Sequence, residues 1–212
     1  MSRPYSYTVE LVPPASVLKE IRAFQARLYG PTGQEYGIHH SHLTLQERFR
    51  TRSIRSLQDE IGSIASSQSA FGVRPAGIRL FNGQDLVMMI EKSESLKKLH
   101  LNVIEAVMRH RTGYHHQKYD CQEFRDSKFT DRRCYGNLKL YGMPFADPLY
   151  NPHVTLAYGL GSEGFNQVMG MASDLNIPSW CANSVVISRE DGPVSNSRIH
   201  SVLIFQAGHK KS

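Results

Sequence analysis

The feature that most constrains this chain is a four-residue pattern, His-apolar-Thr-Leu, that occurs twice. It stands in "HSHLTLQER" as His42 to Leu45 and in "NPHVTLAYG" as His153 to Leu156, 111 residues apart. Each copy alternates polar and apolar residues within an apolar stretch, which is the pattern of a half-buried strand. On a strand, residues i and i+2 point the same way, roughly 7 Å apart at about 3.3 Å per residue. Each His and its Thr are therefore predicted to face one cavity, while the flanking apolar residues enter the core. Two such strands side by side offer that cavity two imidazoles and two hydroxyls.

The rest of the chain reads as elements that frame these strands. "YSYTVELV" predicts a strand over Tyr5 to Val12, ended by Pro13-Pro14. Ser16 is placed to cap a helix running to about Tyr29, with Val17, Ile21, Phe24 and Leu28 on one face. Gly30-Pro31 and Gly33 mark a turn. In the first motif strand, His42, Thr44 and Gln46 are expected on one face and Leu43 and Leu45 on the other. A second helix fits Ile54 to Ser66, and a third fits Ser95 to Arg109. Between them "FGVRPAGIRLF" and "DLVMMIE" read as a hairpin turning at Asn82-Gly83. From Arg111 to Tyr135 the sequence is polar, charged and aromatic without a sustained period, which predicts a long irregular loop or insertion. "GNLKLYGM" reads as a resumed strand and "HVTLAYGL" as the second motif strand. "GFNQVMGMASDL" reads as a short helix, and "CANSVVISRED" with "SRIHSVLIFQAG" as closing strands.

The expected architecture is an α/β (α+β) protein, a single bilobal domain over residues 1–212. The motif strands occupy comparable places in two halves, although little else repeats. With 40% hydrophobic and 21% charged residues, the composition is that of a globular protein. No apolar run is long enough for a membrane span, and the first residues lack the apolar core of a signal peptide. Three cysteines, Cys121, Cys134 and Cys181, form no CxxC and no even-numbered framework. They are expected as free thiols in the cytoplasm, in a monomer. A net charge of +6 and a pI near 9.3 favour a polyanionic partner such as RNA or a nucleotide.

Two imidazoles suit a reaction in which one proton is removed and another delivered near neutral pH. Two hydroxyls are donors that can hold phosphate oxygens as charge builds. The reaction that matches is opening of a strained phosphodiester: one His takes a proton from water, and the other protonates the departing sugar oxygen. It requires no metal and no cofactor.

The doubled motif resembles the signature of the 2H phosphoesterases, which include 2′,5′-RNA ligase-like proteins and RNA 2′,3′-cyclic phosphodiesterases. "HLTL" and "HVTL" match its two H-x-[ST]-x motifs, and the order of helices and strands fits over most of the chain. The resemblance implies a bilobal fold, two pseudo-symmetric lobes with central antiparallel sheets flanked by helices. It implies metal-independent opening of cyclic phosphates or cleavage of 2′-linked diesters, with His42, Thr44, His153 and Thr155 as the working residues. The chain departs from that family where "QERFRTRS" follows the first motif and "AYG" the second. Tyr158 then becomes a candidate phosphate or base contact.

Further candidates surround the motifs. His40 shares the expected face of His42 and is a candidate substrate contact, or a residue of the strand entry. Arg48 and Arg50, with Arg52 and Arg55 beyond, form either a phosphate-gripping cluster or a solvated face. Phe49 is expected in the core. His115, His116, Cys121 and Cys134 are residue types that bind zinc, but their spacing matches no standard finger. The same segment, with Tyr114, Lys118, Tyr119, Arg132 and Arg133, can instead serve as a lid or an RNA-contact loop. The leading reading is a phosphodiesterase that opens 2′,3′-cyclic phosphate ends to 2′-phosphates. ADP-ribose cyclic phosphate and 2′,5′-linked oligomers are alternative substrates, and the same two His can run the reverse, ligating direction. A non-catalytic RNA-binding module is the reading of a different class.

Overall fold

The structure is a computed structural model that describes residues 5–29, 41–81, 85–158, 165–173, 175–190 and 197–205. Strands are β1 (Ser6–Leu11), β2 (Leu43–Phe49), β3 (Phe71–Val73), β4 (Pro75–Phe81), β5 (Asp85–Ile90), β6 (His153–Ala157), β7 (Trp180–Ala182), β8 (Ser184–Glu190) and β9 (Ser197–Ile204). Helices are α1 (Ala15–Tyr29), α2 (Ile54–Ser67), α3 (Glu94–His110), α4 (Gln122–Lys128), α5 (Arg133–Tyr141) and α6 (Phe165–Ser173). Seven strands make one antiparallel sheet in the order β4-β5-β6-β2-β1-β8-β9, and β3 pairs with β7 separately. The motif strands β2 and β6 are thus neighbours at the centre. They are joined thinly, with Leu43 opposite Val154 as their registered pair. They meet at a seam between the group β4-β5-β6 and the group β2-β1-β8-β9.

One face of the sheet is apolar and carries the helices. Val9, Leu11, Leu43, Leu45, Val154 and Leu156 pack with Val17, Ile21 and Phe24 of α1, Leu57 and Ile61 of α2, and Leu96, Leu99 and Val103 of α3. The i, i+3, i+4 spacing of those helical residues sets the stripe that is buried. Ser53 caps α2 by accepting from the Ser56 amide, and Ser93 caps α3 by accepting from the Leu96 amide. Ser16, expected as the cap of α1, lies inside its first turn instead. The helix begins at Ala15, and the Leu18 amide donates to the Pro14 carbonyl.

The alternation expected along the first motif strand holds through Leu45 and then breaks. β1 and β2 shift register between the pairs Glu10–Thr44 and Val9–Gln46, so Leu45 is an extra residue. The bulge turns Gln46 opposite core-facing Val9, where it is fully buried and donates to the Tyr141 carbonyl. Phe49 is in the core, with its ring 6.2 Å from that of Tyr7.

The segment 111–135 is not an irregular loop. It contains a 3-10 turn at Gln117–Asp120, all of α4 and the start of α5, and "GNLKLYGM" is helical rather than a strand. Tyr119, Phe129, Cys134 and Leu138 form a small core of their own, with Phe124, Phe145 and Leu149 against it. Cys134 and Leu138 are one helical turn apart, which puts both on the buried face of α5. Gly142 ends that helix in the left-handed region, φ 73°, with its amide bonded to the Leu138 carbonyl. The elements are short and their apolar residues are widely spaced aromatics, so no 3.6-residue period emerges from the sequence. Arg111 ties the segment down by donating to the carbonyls of Tyr114, Lys139 and Leu140.

Candidate active site

One step along the antiparallel pairing on either side of Leu43–Val154 sets Thr44 opposite His153 and His42 opposite Thr155. All four are partly exposed on the face away from α1, α2 and α3, while Leu43 and Val154 are fully buried on the other. The sequence pattern placed a His and a Thr on one face of each strand. The sheet adds that each His looks across at the Thr of the other copy.

The two imidazoles are backed differently. His42 Nδ1 lies 2.9 Å from Oε2 of Glu10, whose side chain is 1% exposed. The Thr8 hydroxyl donates to the other oxygen of Glu10 at 3.3 Å. A buried carboxylate at ion-pair distance stabilises positive charge on the His42 ring. His153 Nδ1 lies 2.8 Å from the Asn151 carbonyl oxygen. A carbonyl only accepts, so Nδ1 carries the proton and Nε2 presents a bare lone pair. Burial pushes the His153 pKa below its ordinary value, and nearby His42 and Lys118 push it the same way against the Asn151 carbonyl and Glu47. The ring of Phe81 packs 4.6 Å from the His153 imidazole.

Glu10 was not among the residues singled out in the sequence. Its signal was a lone carboxylate in the otherwise apolar run "TVELV", at a position where alternation points it to the motif face. Two more side chains brace β2 from beneath. Tyr150 donates to the Thr44 carbonyl at 2.8 Å. His100, fully buried, contacts the Leu45 carbonyl through Nδ1 at 2.9 Å and stacks on Tyr150 at 3.7 Å between ring centres.

The remaining candidates separate. Tyr158 follows β6 half-exposed, its hydroxyl bonded to Thr155 and its amide donating to the Tyr29 hydroxyl. His40 lies outside the described residues, as do Gly30-Pro31, Gly33 and Asn82-Gly83. Arg50 stacks its guanidinium over the Tyr114 ring at 4.1 Å and so anchors the 111–135 segment. Arg48 lies near His116, whose pKa is pushed to about 4 by burial, with Lys118 and Arg48 adding to the shift. Arg52 and Arg55 are exposed. His115 bonds Asp120, the ring of His116 accepts from the Lys118 amide, and Cys121, Cys134 and Cys181 are free. Among the described residues, no three of His, Cys, Asp and Glu converge to hold a metal ion.

A cavity of about 340 Å³ opens beside His153 and Thr44. Phe81, Met143, Phe145, Tyr150 and Asn151 form one part of its wall. The other part comes from the 111–135 segment, through Phe124, Ser127, Lys128 and Thr130. Glu47, also on the wall, accepts from the Tyr119 hydroxyl and sits 3.6 Å from Lys118 Nζ.

No curated protein sequence matches the chain. Among solved structures, TT0787 of Thermus thermophilus superposes with a TM-score of 0.55 at 16% identity, covering 96% of this chain and 100% of that one. Escherichia coli LigT, solved with 3′-AMP, superposes with a TM-score of 0.56 at 14% identity, covering 97% and 99%. LigT solved with phosphate gives 0.54 at 15% identity, covering 97% and 99%. At such identities the likeness is one of fold. The family model described as the 2′-5′ RNA ligase superfamily matches residues 13–193, most of the chain, with both motifs inside the match. The chain belongs to the 2′-5′ RNA ligase superfamily, among the 2H phosphoesterases.

Proposed function

We propose that this protein is a metal-independent phosphodiesterase that opens 2′,3′-cyclic phosphates of RNA ends or nucleotides to 2′-phosphates. The superfamily supports a phosphodiesterase-type activity, and LigT, a structural neighbour, was solved with a nucleotide. The observation that carries the finer reading is the unequal backing of two histidines that lie on one face where β2 and β6 meet. His153, neutral with Nε2 free, takes a proton from water. That water attacks phosphorus as the bond to the 3′ oxygen breaks. His42, held positive against Glu10, gives the leaving 3′ oxygen its proton. Thr44 and Thr155 donate to the non-bridging oxygens, which gain charge in the transition state. The reaction leaves a 2′-phosphate and exchanges the protonation states of the two rings, which solvent restores. The free cysteines suit a cytoplasmic setting.

The test is turnover of a 2′,3′-cyclic nucleotide in the presence of EDTA. Undiminished turnover is expected. Loss in EDTA with recovery on adding zinc or manganese overturns the metal-free mechanism. Tight RNA binding without turnover of any cyclic nucleotide, ADP-ribose cyclic phosphate or 2′,5′-linked oligomer identifies a binding module instead.

A further inference from the structure

Glu47 has no part in the reaction as drawn, yet it lines the same cavity as His153 and Thr44. A strand alternating without interruption from Thr44 would send Glu47 toward the core, three residues on. The extra residue at Leu45 reverses the phase. Gln46 turns inward, and Glu47 comes out on the cavity wall. Glu47 stands in "QERFRTRS", the stretch where the chain departs from the family's pattern.

The carboxylate is held from outside the sheet. Tyr119, fully buried in the small core of the 111–135 segment, donates its hydroxyl to Oε2 of Glu47. Lys118 Nζ lies 3.6 Å from the same oxygen and 4.8 Å from the centre of the Tyr119 ring. The segment therefore meets the catalytic strand at this side chain. The charged and titratable groups around His153 are Glu47 and His42 from β2, Lys118 from the 3-10 turn and Lys128 from α4. Tyr150 is there too, its hydroxyl spent on the Thr44 carbonyl, and Phe81 of β4 covers the ring. Of these groups, Glu47 carries the negative charge.

We propose that Glu47 is a positioning residue for His153: its charge, fixed in place by Tyr119 of the 111–135 segment, stabilises the imidazolium that forms when His153 takes the proton from water. The inference rests on the proposed reaction, in which His153 is the base. Positive charge appearing on a desolvated ring is costly unless an anion faces it. Burial lowers the proton affinity of His153, the Glu47 charge opposes that, and Lys118 limits the opposition. The ring then stays neutral at rest and still draws a proton in the transition state, where a base works best with its affinity matched to the operating pH. The two histidines are served by carboxylates in different ways. Glu10 contacts His42 and holds a proton there before the reaction. Glu47 acts from the cavity wall and meets charge that appears during it.

The experiment measures the pH profile of kcat/KM on 2′,3′-cyclic AMP, and the NMR titration of the His153 ring, identified by its loss in His153→Ala. Glu47→Gln keeps the shape and removes the charge. It should move the acidic limb and the His153 titration to lower pH by about 0.5 to 1 unit, a 3- to 10-fold loss of proton affinity. The plateau should fall by up to about tenfold, following the lost basicity. Lys118→Gln, at a partly exposed side chain, should move both to higher pH. Tyr119→Phe frees the carboxylate to turn toward Lys118, and should act as Glu47→Gln does but by less. A lower plateau in Glu47→Gln with the acidic limb and the titration unmoved is a structural loss and overturns the inference, leaving the proposed function standing. So does a shift in the same direction for Glu47→Gln and Lys118→Gln, or a Tyr119→Phe protein indistinguishable from wild type. If wild type turns over no cyclic nucleotide, the proposed function fails and the titration alone decides. A His153 titration lowered in Glu47→Gln and raised in Lys118→Gln supports the link to Glu47; one equal in all three proteins overturns it.

Discussion

Strands β2 and β6 carry the same four-letter pattern, lie side by side, and are held in different surroundings. β2 is held from several directions: β1 pairs along it, Tyr150 and His100 bond its carbonyls, and Glu10 reaches His42. β6 meets β2 through one registered pair and is paired mainly with β5. Its histidine has a neutral backbone carbonyl behind it where the other has a carboxylate. The lesson is that a repeated motif presents the same side chains twice, while the neighbours set the environment of each. A histidine beside a buried carboxylate is suited to hold a proton, and one beside a carbonyl in a desolvated pocket is suited to accept one.

The largest effects should come from the histidines themselves. His42→Ala and His153→Ala should each lower kcat/KM on a 2′,3′-cyclic nucleotide by about 10² to 10⁴, the usual worth of a positioned acid or base. The double variant should lose far less than the product of the two, since the pair works as a unit. Folded single variants with near wild-type activity would remove the basis for the comparison. Next in size are the threonines. Thr44→Ala and Thr155→Ala each remove one donor to phosphate, for roughly 10- to 1000-fold in kcat. Unequal losses would show which oxygen carries more charge.

Glu10→Gln sharpens the comparison directly. It keeps the shape and removes the charge behind His42 alone, for about 10- to 100-fold, as for other groups that orient a functional histidine. The wild-type rate profile should be bell-shaped. Its acidic limb belongs to His153, which must be neutral, and falls below the ordinary histidine value because burial lowers that pKa. Its alkaline limb belongs to His42, which must hold a proton. Glu10→Gln should move the alkaline limb to lower pH and leave the acidic limb in place. A shift of the acidic limb instead would reverse the two roles.

A last effect concerns stability and the bracing of β2, away from the reacting groups. Burial lowers the His100 pKa from 6.5 to about 4. As pH falls, the unfolded chain takes a proton near 6.5 and the folded chain does not until about 4. His100 therefore contributes stability above that window that is lost on acidification through it, on the order of 3 kcal/mol at 1.36 kcal/mol per unit. Urea unfolding at pH 7 and pH 4.5 should show this drop in wild type and a smaller one in His100→Gln. Equal drops would mean that other groups govern acid sensitivity.

The order of helices and strands was readable because their apolar residues repeat at 3.6 or 2 residues, as in Val17, Ile21 and Phe24 or in the alternation through Leu43 and Leu45. The helical nature of 111–135 was not, because α4 has seven residues and rests on aromatics that meet only in space. The break at Gln46 was hidden as well, since a bulge depends on the register of β1 against β2. For the site, the residue types in the doubled motif suggested the chemistry that is proposed above. Nothing in the residues after each copy announced that Arg50 would stack on Tyr114.

By itself, then, the sequence determined two strands, each with a His and a Thr on one face and aliphatic residues on the other, because alternation is a property of the extended backbone. It determined the amphipathic helices that cover the apolar side for the same local reason. The tertiary structure alone decided that β2 and β6 are neighbours, that each His meets the other copy's Thr, and that Glu10 stands behind one ring and a carbonyl behind the other. It also decided that Phe124, from a patternless segment, lines a cavity beside His153. Those outcomes depend on contacts between residues far apart in the chain, and charge and burial act through distance in space, which no local pattern encodes.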